Sequence, residues 1–112
     1  MRSTESGDYQ GAVDEFTRAA QMAPDVAQAY AGRAAAKVYT GDLQGALQDL
    51  SQALQIDPAM AEAYYNRGLL RAQSGDVAGA VGDLSQAATI FGSRGDQRTS
   101  EMAQDAIQFL QQ

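Results

Sequence analysis

The stretch Asp49-Leu50-Ser51-Gln52-Ala53 recurs without change as Asp83-Leu84-Ser85-Gln86-Ala87, 34 residues further along the chain. The surrounding positions keep the same spacing, and one more unit precedes them. The matching sets are Gly7, Gly41 and Gly75, each followed by aspartate; Gly11, Gly45 and Gly79; Ala12, Ala46 and Ala80; Phe16, Leu50 and Leu84; Pro24 and Pro58; and Tyr30 and Tyr64. A period of this length is typical of a stacked repeat protein, whose units bury their apolar faces against their neighbours. The sequence therefore predicts a repeat fold that presents a surface for recognition.

Each unit is predicted to be a pair of helices joined by a Gly-Asp turn. Ala27 to Thr40 carries apolar or small residues at helical spacing and stops at Gly41, where glycine suits a left-handed helix end. Asp42 is a good N-cap for a second helix, Leu43 to Ile56. The pattern recurs over residues 61–74 and 77–91. No stretch alternates polar and apolar residues, so the predicted class is all-α, built from antiparallel helix pairs.

Composition excludes several classes of function. The 112 residues contain neither cysteine nor histidine, which excludes disulfides, zinc sites of the Cys/His type and thiol or imidazole catalysis. We expect no metal and no cofactor. The net charge of −6 argues against a nucleic-acid partner, because phosphate contacts need a clustered basic surface. No apolar run predicts membrane insertion. A basic or apolar protein partner is easier to accommodate, and the composition is that of a single soluble domain.

The repeated residues resemble the tetratricopeptide repeat (TPR) family. The family pattern consists of an aromatic residue, a small residue, a Gly-Asp turn, two alanines around a large apolar residue, and a final proline. This pattern is matched by Tyr30, Ala34, Gly41, Ala46, Leu50, Ala53 and Pro58. It is matched again by Tyr64, Gly68, Gly75, Ala80, Leu84 and Ala87. The stretch Tyr64-Tyr65-Asn66-Arg67-Gly68 is most similar to bacterial members. The sequence departs from the family at Lys37 and Arg71, which replace an aromatic residue, and at Gly92, which replaces proline.

The resemblance implies an α-α superhelix and sets the expected boundaries. Residues 1–24 form a partial repeat that lacks most of its first helix, 27–58 and 61–92 form complete repeats, and 97–112 form a C-terminal capping helix. That helix is expected to pack inward through Met102, Ala106, Phe109 and Leu110. The short first repeat favours a fragment of a longer array, because a complete solenoid normally caps its terminal apolar face.

Two ion pairs follow from the symmetry of the helix pairs. Arg33 lies eight residues before Gly41, and Asp49 lies eight after it. Arg67 and Asp83 are placed in the same way about Gly75. Two antiparallel helices folded at the turn bring such positions side by side, so we predict the structural salt bridges Arg33–Asp49 and Arg67–Asp83. The alternative is that the arginines contact a ligand.

The resemblance also implies a ligand surface, because the first helices of TPR units line a concave face that binds peptide segments. The predicted contact residues are Gln28, Ala31, Gly32, Ala35 and Tyr39 in one unit and Glu62, Tyr65, Asn66, Leu69 and Gln73 in the next. Tyr39 and Tyr65 are the expected aromatic anchors. The alternative is an ordinary solvated helix face. The subfamily that clamps acidic C-terminal tails needs Lys and Asn at positions held here by Ala31 and Ala35, so that activity is not expected.

Two further motifs have structural explanations. Arg94-Gly95-Asp96 is the tripeptide read by integrins, but a charged glycine-rich loop also produces it by chance. The acidic pair Asp42 and Asp49 suggests acid–base chemistry, yet it recurs with the repeat, which favours capping and ion pairing. The sequence therefore predicts no enzyme.

Three functions remain open at this point. The first is a non-catalytic module that binds a peptide or protein on the concave face. The second is a self-associating module that dimerises through the open first unit, with Val13, Phe16 and Met22 as its exposed apolar edge. The third is a targeting domain of a larger protein, which would present the same surface as the first.

Overall fold

A computed structural model describes residues 6–112, and within this range every regular element is a helix. The helices are α1 (Ser6–Met22), α2 (Ala27–Tyr39), α3 (Leu43–Ile56), α4 (Ala61–Gln73), α5 (Val77–Ser93) and α6 (Gln97–Leu110). The prediction of an all-α helical repeat is confirmed. None of these helices is both long enough and apolar enough to cross a membrane.

The Gly-Asp turns form because glycine ends one helix and aspartate begins the next. Gly41 has a φ of +86°, a left-handed conformation that glycine adopts without strain. The amide of Asp42 donates to the carbonyl of Lys37, and that of Gly41 donates to Val38, which together satisfy the last carbonyls of α2. The Asp42 carboxylate then accepts from the amide of Gly45 at 2.9 Å and caps α3. Gly75 and Asp76 make the same bonds between α4 and α5.

Two helix ends differ from the sequence prediction. Helix α1 already begins at Ser6, so Gly7 lies inside a helix and the expected turn at Gly7-Asp8 is not formed. Helix α5 continues past Phe91 to Ser93. The reason for the second difference is Gly92, since glycine is tolerated in a helix where the proline of the family pattern would end it. The turn that follows Ser93 is formed at Gly95, whose φ is +84°.

The chain divides into two compact units, and the first ends at Pro58. In this unit α2 packs against both α1 and α3. Its core is made mainly of small side chains together with Leu50 and Leu54; Leu50, Ala34, Ala46 and Ala53 are essentially inaccessible to solvent. Small residues let the paired helices approach closely, as the repeat pattern predicts.

The second unit, Ala59–Gln112, contains α4, α5 and α6, with α5 packed against both neighbours. One apolar cluster joins Ala61, Ala87 and Phe91, and a second joins Leu84, Ala88 and Ala103. Helices α4 and α5 approach closely at Gly68, where an added Cβ would lie 2.9 Å from Leu84 Cγ and 3.2 Å from the carbonyl oxygen of Ala80. Glycine is needed there for space.

Helix α6 packs inward through part of the predicted stripe, because Ala106 and Leu110 pack against the second cluster. Ser100 and Ala103 are buried, and Ile107 and Leu110 pack against the second cluster. The Ser100 hydroxyl donates to the carbonyl of Ala88 at 2.9 Å. Met102 and Phe109 were expected to face inward, but they are exposed, Phe109 by 73%. The reason is helical spacing: positions 100, 103, 107 and 110 share one face, whereas 102 and 109 lie on another.

Candidate functional site

Both predicted arginine–aspartate pairs are present in the structure. Arg33 donates from Nε and from its terminal guanidinium nitrogen to the two carboxylate oxygens of Asp49, each at 2.8 Å. Asp49 is only 4% exposed, and Lys37 Nζ lies 3.1 Å from its Oδ2. The hydrogen bond to Asp49 raises the pKa of Arg33, while burial acts in the opposite direction. The buried carboxylate therefore holds two cations, and the arginine is committed to the fold.

The same arrangement is built in the second unit. Arg67 makes two bonds of 2.8 Å to Asp83, and Arg71 adds a third at 3.0 Å. The hydrogen bond to Asp83 raises the pKa of Arg67 against the effect of burial. These contacts explain the departures from the family pattern, because Lys37 and Arg71 stand where an aromatic residue is common and supply the second cation to each buried aspartate.

Helix α2 presents part of its predicted ligand face to solvent. Gln28, Ala35 and Tyr39 are exposed, and Ala31 is half-buried. The prediction that Gly32 contacts a ligand is wrong. A Cβ added at Gly32 would lie 2.4 Å from the Phe16 ring, so the space above Gly32 is filled by Phe16 and is closed to a ligand.

Tyr39 is 68% exposed and stacks on Tyr9 of α1, with ring centroids 4.4 Å apart and 14° between the planes. Tyr9 was not predicted as a partner of Tyr39. In the sequence Tyr9 is distinguished only by its position one turn after the start of α1, and that position does not indicate which residue of α2 lies next to it. The two rings form an exposed aromatic platform at the α1–α2 edge.

Helix α4 also presents most of its predicted face. Glu62, Asn66, Leu69 and Gln73 are exposed, and Leu69 is 41% accessible. The prediction that Tyr65 is an aromatic anchor for a ligand is wrong, because Tyr65 is half-buried and packs against both apolar clusters of the unit. Its ring belongs to the core between α4, α5 and α6, so it is not an unoccupied anchor for a ligand.

The predicted self-association edge on α1 is only partly exposed. Met22 is 85% accessible, whereas Val13 and Phe16 are half-buried. Phe16 was predicted to lie on an open edge, but its ring covers Gly32 of α2. The reason is that α2 packs on the side of α1 that carries Phe16. A shallow depression of about 290 Å³ lies on another part of α1, lined by Asp8, Gly11, Ala12 and Glu15.

The Arg94-Gly95-Asp96 loop is a third Gly-Asp turn. The amide of Asp96 donates to the carbonyl of Phe91, and its carboxylate accepts from the amide of Thr99 at 3.2 Å, which caps α6. Arg94 donates to the carbonyl of Ala59 at 2.9 Å. Each member of the tripeptide thus has a structural use. Within residues 6–112 no group of three or more acidic side chains is placed to hold a metal ion.

Comparisons with known proteins agree with this architecture. Residues 36–75 match the family model described as TPR repeat. No curated protein sequence matches the chain.

Many solved structures, including the following three, are similar to the chain. One is the Yersinia enterocolitica type III secretion chaperone SycD in complex with a peptide of the translocator YopD (TM-score 0.78, 20% identity, covering 96% of this chain and 86% of that one). Another is the TPR2B-domain:pHsp70 complex of yeast Sti1 (TM-score 0.86, 23% identity, 94% and 84%). The third is the Sgt2 TPR domain from Aspergillus fumigatus (TM-score 0.74, 28% identity, 91% and 70%).

Proposed function

Since residues 36–75 of this chain match the tetratricopeptide repeat model, we propose that the protein is a non-catalytic interaction module that binds a peptide or protein segment through the outward face of α2 or that of α4. Similar folds in the SycD–YopD peptide and Sti1 TPR2B–pHsp70 complexes hold such segments, which supports this class of function.

The observation that carries the proposal is the exposure of large apolar side chains on these two helices. Tyr39 on α2 is 68% exposed and Leu69 on α4 is 41% exposed. Exposed amide side chains lie on the same helices: Gln28 near the start of α2, and Asn66 and Gln73 within one turn of Leu69 on α4. An apolar anchor with amide groups beside it is the composition of a peptide-contact surface, because the amides pair with the backbone of an extended segment.

On α2, the anchor is the Tyr9–Tyr39 platform. A stacked pair offers a broad apolar surface with two hydroxyl tips, and its rings lose little conformational freedom when a ligand covers them. On α4, Leu69 is the anchor. We propose that each face contributes its own contacts, so that each can be tested separately.

The experiment is selection of binding peptides from a displayed random library, followed by titration of the best peptide against the 112-residue chain. Tyr39→Ala and Leu69→Asp remove one anchor each, and we expect at least one of them to weaken binding tenfold or more. Thr89→Ala, at an exposed site on α5, is the control. The proposal fails if the selected peptides bind both variants as tightly as the unchanged chain.

A further inference from the structure

The Tyr9–Tyr39 platform lies outside the repeat pattern. By the 34-residue period, the positions of Tyr9 and Tyr39 correspond to Leu43 and Gln73 in the following repeat. The stacked pair is therefore not a packing requirement that each repeat meets. Tyr9 covers one face of the Tyr39 ring, with centroids 4.4 Å apart, yet Tyr39 remains 68% exposed. The side of the Tyr39 ring turned away from Tyr9 is thus open to solvent.

Elsewhere the chain already places arginine over tyrosine. In the first unit, Cζ of Arg33 lies 5.6 Å from the centroid of the Tyr30 ring, and in the second unit Cζ of Arg67 lies 5.8 Å from that of Tyr64. The face of an aromatic ring is electronegative, so it attracts a guanidinium, which can also stack flat on it. Both tyrosines are half-buried, and both arginines are held by an aspartate. These contacts show which cation a tyrosine face accepts in this fold.

No cation of the described part of the first unit, residues 6–58, is placed to cover the platform. The basic side chains in this range are Arg18, Arg33 and Lys37. The last two are bound to Asp49. Arg18 lies nine residues beyond Tyr9 in α1, roughly 13 Å along the helix axis. Within residues 6–58 the open face of the Tyr39 ring therefore has no arginine of its own.

The charge around the platform favours a cation as its ligand. Residues 6–58 carry seven acidic and three basic side chains, a net charge of −4. Two of the carboxylates are close to the platform in the chain: Asp8 directly precedes Tyr9, and Asp42 lies three residues after Tyr39. A negative region attracts a basic partner and repels an acidic one. A proline or another neutral side chain can stack on the same ring, but it gains nothing from this charge.

We propose that the Tyr9–Tyr39 platform is an arginine-binding subsite, on which a peptide segment of a partner protein lays one guanidinium against the open face of the Tyr39 ring. This inference rests on the peptide-binding role proposed above for the outward face of α2, and it specifies that the bound segment is basic. Arginine suits the subsite better than lysine, because a planar guanidinium stacks on the ring while its N–H groups remain free to donate to carboxylates.

The test compares displayed peptide libraries that differ only in the residue fixed at their centre: arginine, glutamine, proline or glutamate. We expect the arginine library to yield the tightest binders to the full chain. In the best of these peptides, citrulline in place of the fixed arginine keeps the shape of the side chain and removes its charge. Binding should then weaken about tenfold, because the attraction between the cation and the ring is lost.

Variants at Tyr39 distinguish a cation over the ring from plain apolar contact. Tyr39→Phe keeps the ring and should bind the arginine peptide within about threefold of the unchanged chain, whereas Tyr39→Leu keeps apolar bulk without the ring and should weaken binding about tenfold. Both variants should unfold at nearly the same denaturant concentration as the unchanged chain, since Tyr39 is exposed. Thr89→Ala, at an exposed site on α5, should leave the affinity unchanged.

The inference is overturned if the citrulline peptide binds as tightly as the arginine peptide, if Tyr39→Leu binds as tightly as Tyr39→Phe, or if the proline library yields the tightest binders. Peptides that depend on Leu69 of α4 and not on Tyr39 would also overturn it, while the proposed function would stand. If no library yields a binder, both fail. A dimer in light scattering that Tyr39→Leu abolishes would overturn the inference too, because the occupant would then be a second copy.

Discussion

At the residue scale, the buried carboxylates of Asp49 and Asp83 are the most constrained groups in the chain. Each is 4% exposed, and each accepts hydrogen bonds or ion pairs from two cationic side chains of the preceding helix. Burial of a single charge is costly, so these groups persist because their partners neutralise them. Among the described residues, no buried side-chain nitrogen or oxygen lacks a hydrogen-bond partner.

Removing one member of this cluster should destabilise the fold. We expect Asp83→Ala to lower the free energy of unfolding by about 3 kcal/mol, because it leaves Arg67 and Arg71 without their buried counter-charge. Urea unfolding followed by circular dichroism measures this, with Asp105→Ala at an exposed site as a control expected within about 0.5 kcal/mol. Replacing Arg67, Arg71 and Asp83 together with leucine should restore most of the loss. Equal effects of Asp83→Ala and Asp105→Ala would contradict this view.

The raised arginine pKa values predict how these pairs respond to pH. A group whose folded pKa is raised contributes stability that is complete below its unfolded pKa and is lost only as pH rises through the folded value. The pKa of Arg33 and that of Arg67 are both raised above an already high ordinary value. Loss of the arginine charge therefore plays no part in unfolding at neutral or moderately alkaline pH.

At the element scale, glycine has opposite roles in two neighbouring helices. Gly68 of α4 lies against α5, whereas a Cβ added at Gly82 of α5 would have nothing within 4 Å. We expect Gly68→Ala to destabilise the chain by about 1–2 kcal/mol through overpacking against Leu84 and the Ala80 carbonyl. Gly82→Ala should stabilise it by about 0.5–1 kcal/mol through helix propensity. Thermal unfolding of the two variants compares them directly, and effects of the same sign would show that the close approach at Gly68 is not rigid.

Helix α6 offers a second test at this scale, because its apolar residues lie on two faces. Ile107 packs against the cluster of Leu84, Ala88 and Ala103, whereas Phe109 is 73% exposed. We expect Ile107→Ala to cost about 2 kcal/mol, at the low end for truncating a large apolar side chain, since Ile107 is only half-buried. Phe109→Ala should change stability by less than about 0.5 kcal/mol. The reverse order in chemical denaturation would support the inward stripe that the sequence predicted.

At the scale of the whole molecule, the acidic composition controls how the chain behaves in solution. The sequence contains no histidine and has a pI of about 4.3, so its negative charge changes little between pH 6 and pH 7 and disappears as carboxylates titrate. We expect a solubility minimum near pH 4.3, where self-repulsion vanishes. Turbidity of a concentrated solution scanned from pH 7 to pH 3.5 measures this, and a clear solution across the whole range would contradict it.

The repeat period explains why much of the fold was predictable. The repeat contains glycine at positions 41 and 75, aspartate after each, and alanine at fixed places in every unit. These residues reflect local backbone geometry and close helix contact, which can both be predicted from a single sequence. The symmetric spacing of Arg33 and Asp49 about Gly41 even predicted a contact between two helices. Prediction failed where a side chain packs against a neighbouring helix. Phe16 was assigned to an open edge and Tyr65 to a ligand face, but each packs against neighbouring helices.

The sequence by itself determined the helix pairs around Gly41 and Gly75, the pairs Arg33–Asp49 and Arg67–Asp83, and the absence of Cys and His chemistry, because these depend on residue types and their fixed short spacings. Only the tertiary structure decided which side chains remain exposed. It placed Tyr9 on Tyr39 and turned Met102 and Phe109 of α6 outward. The physical reason is that exposure depends on which neighbouring helix covers a face, and one helix's periodicity does not record that.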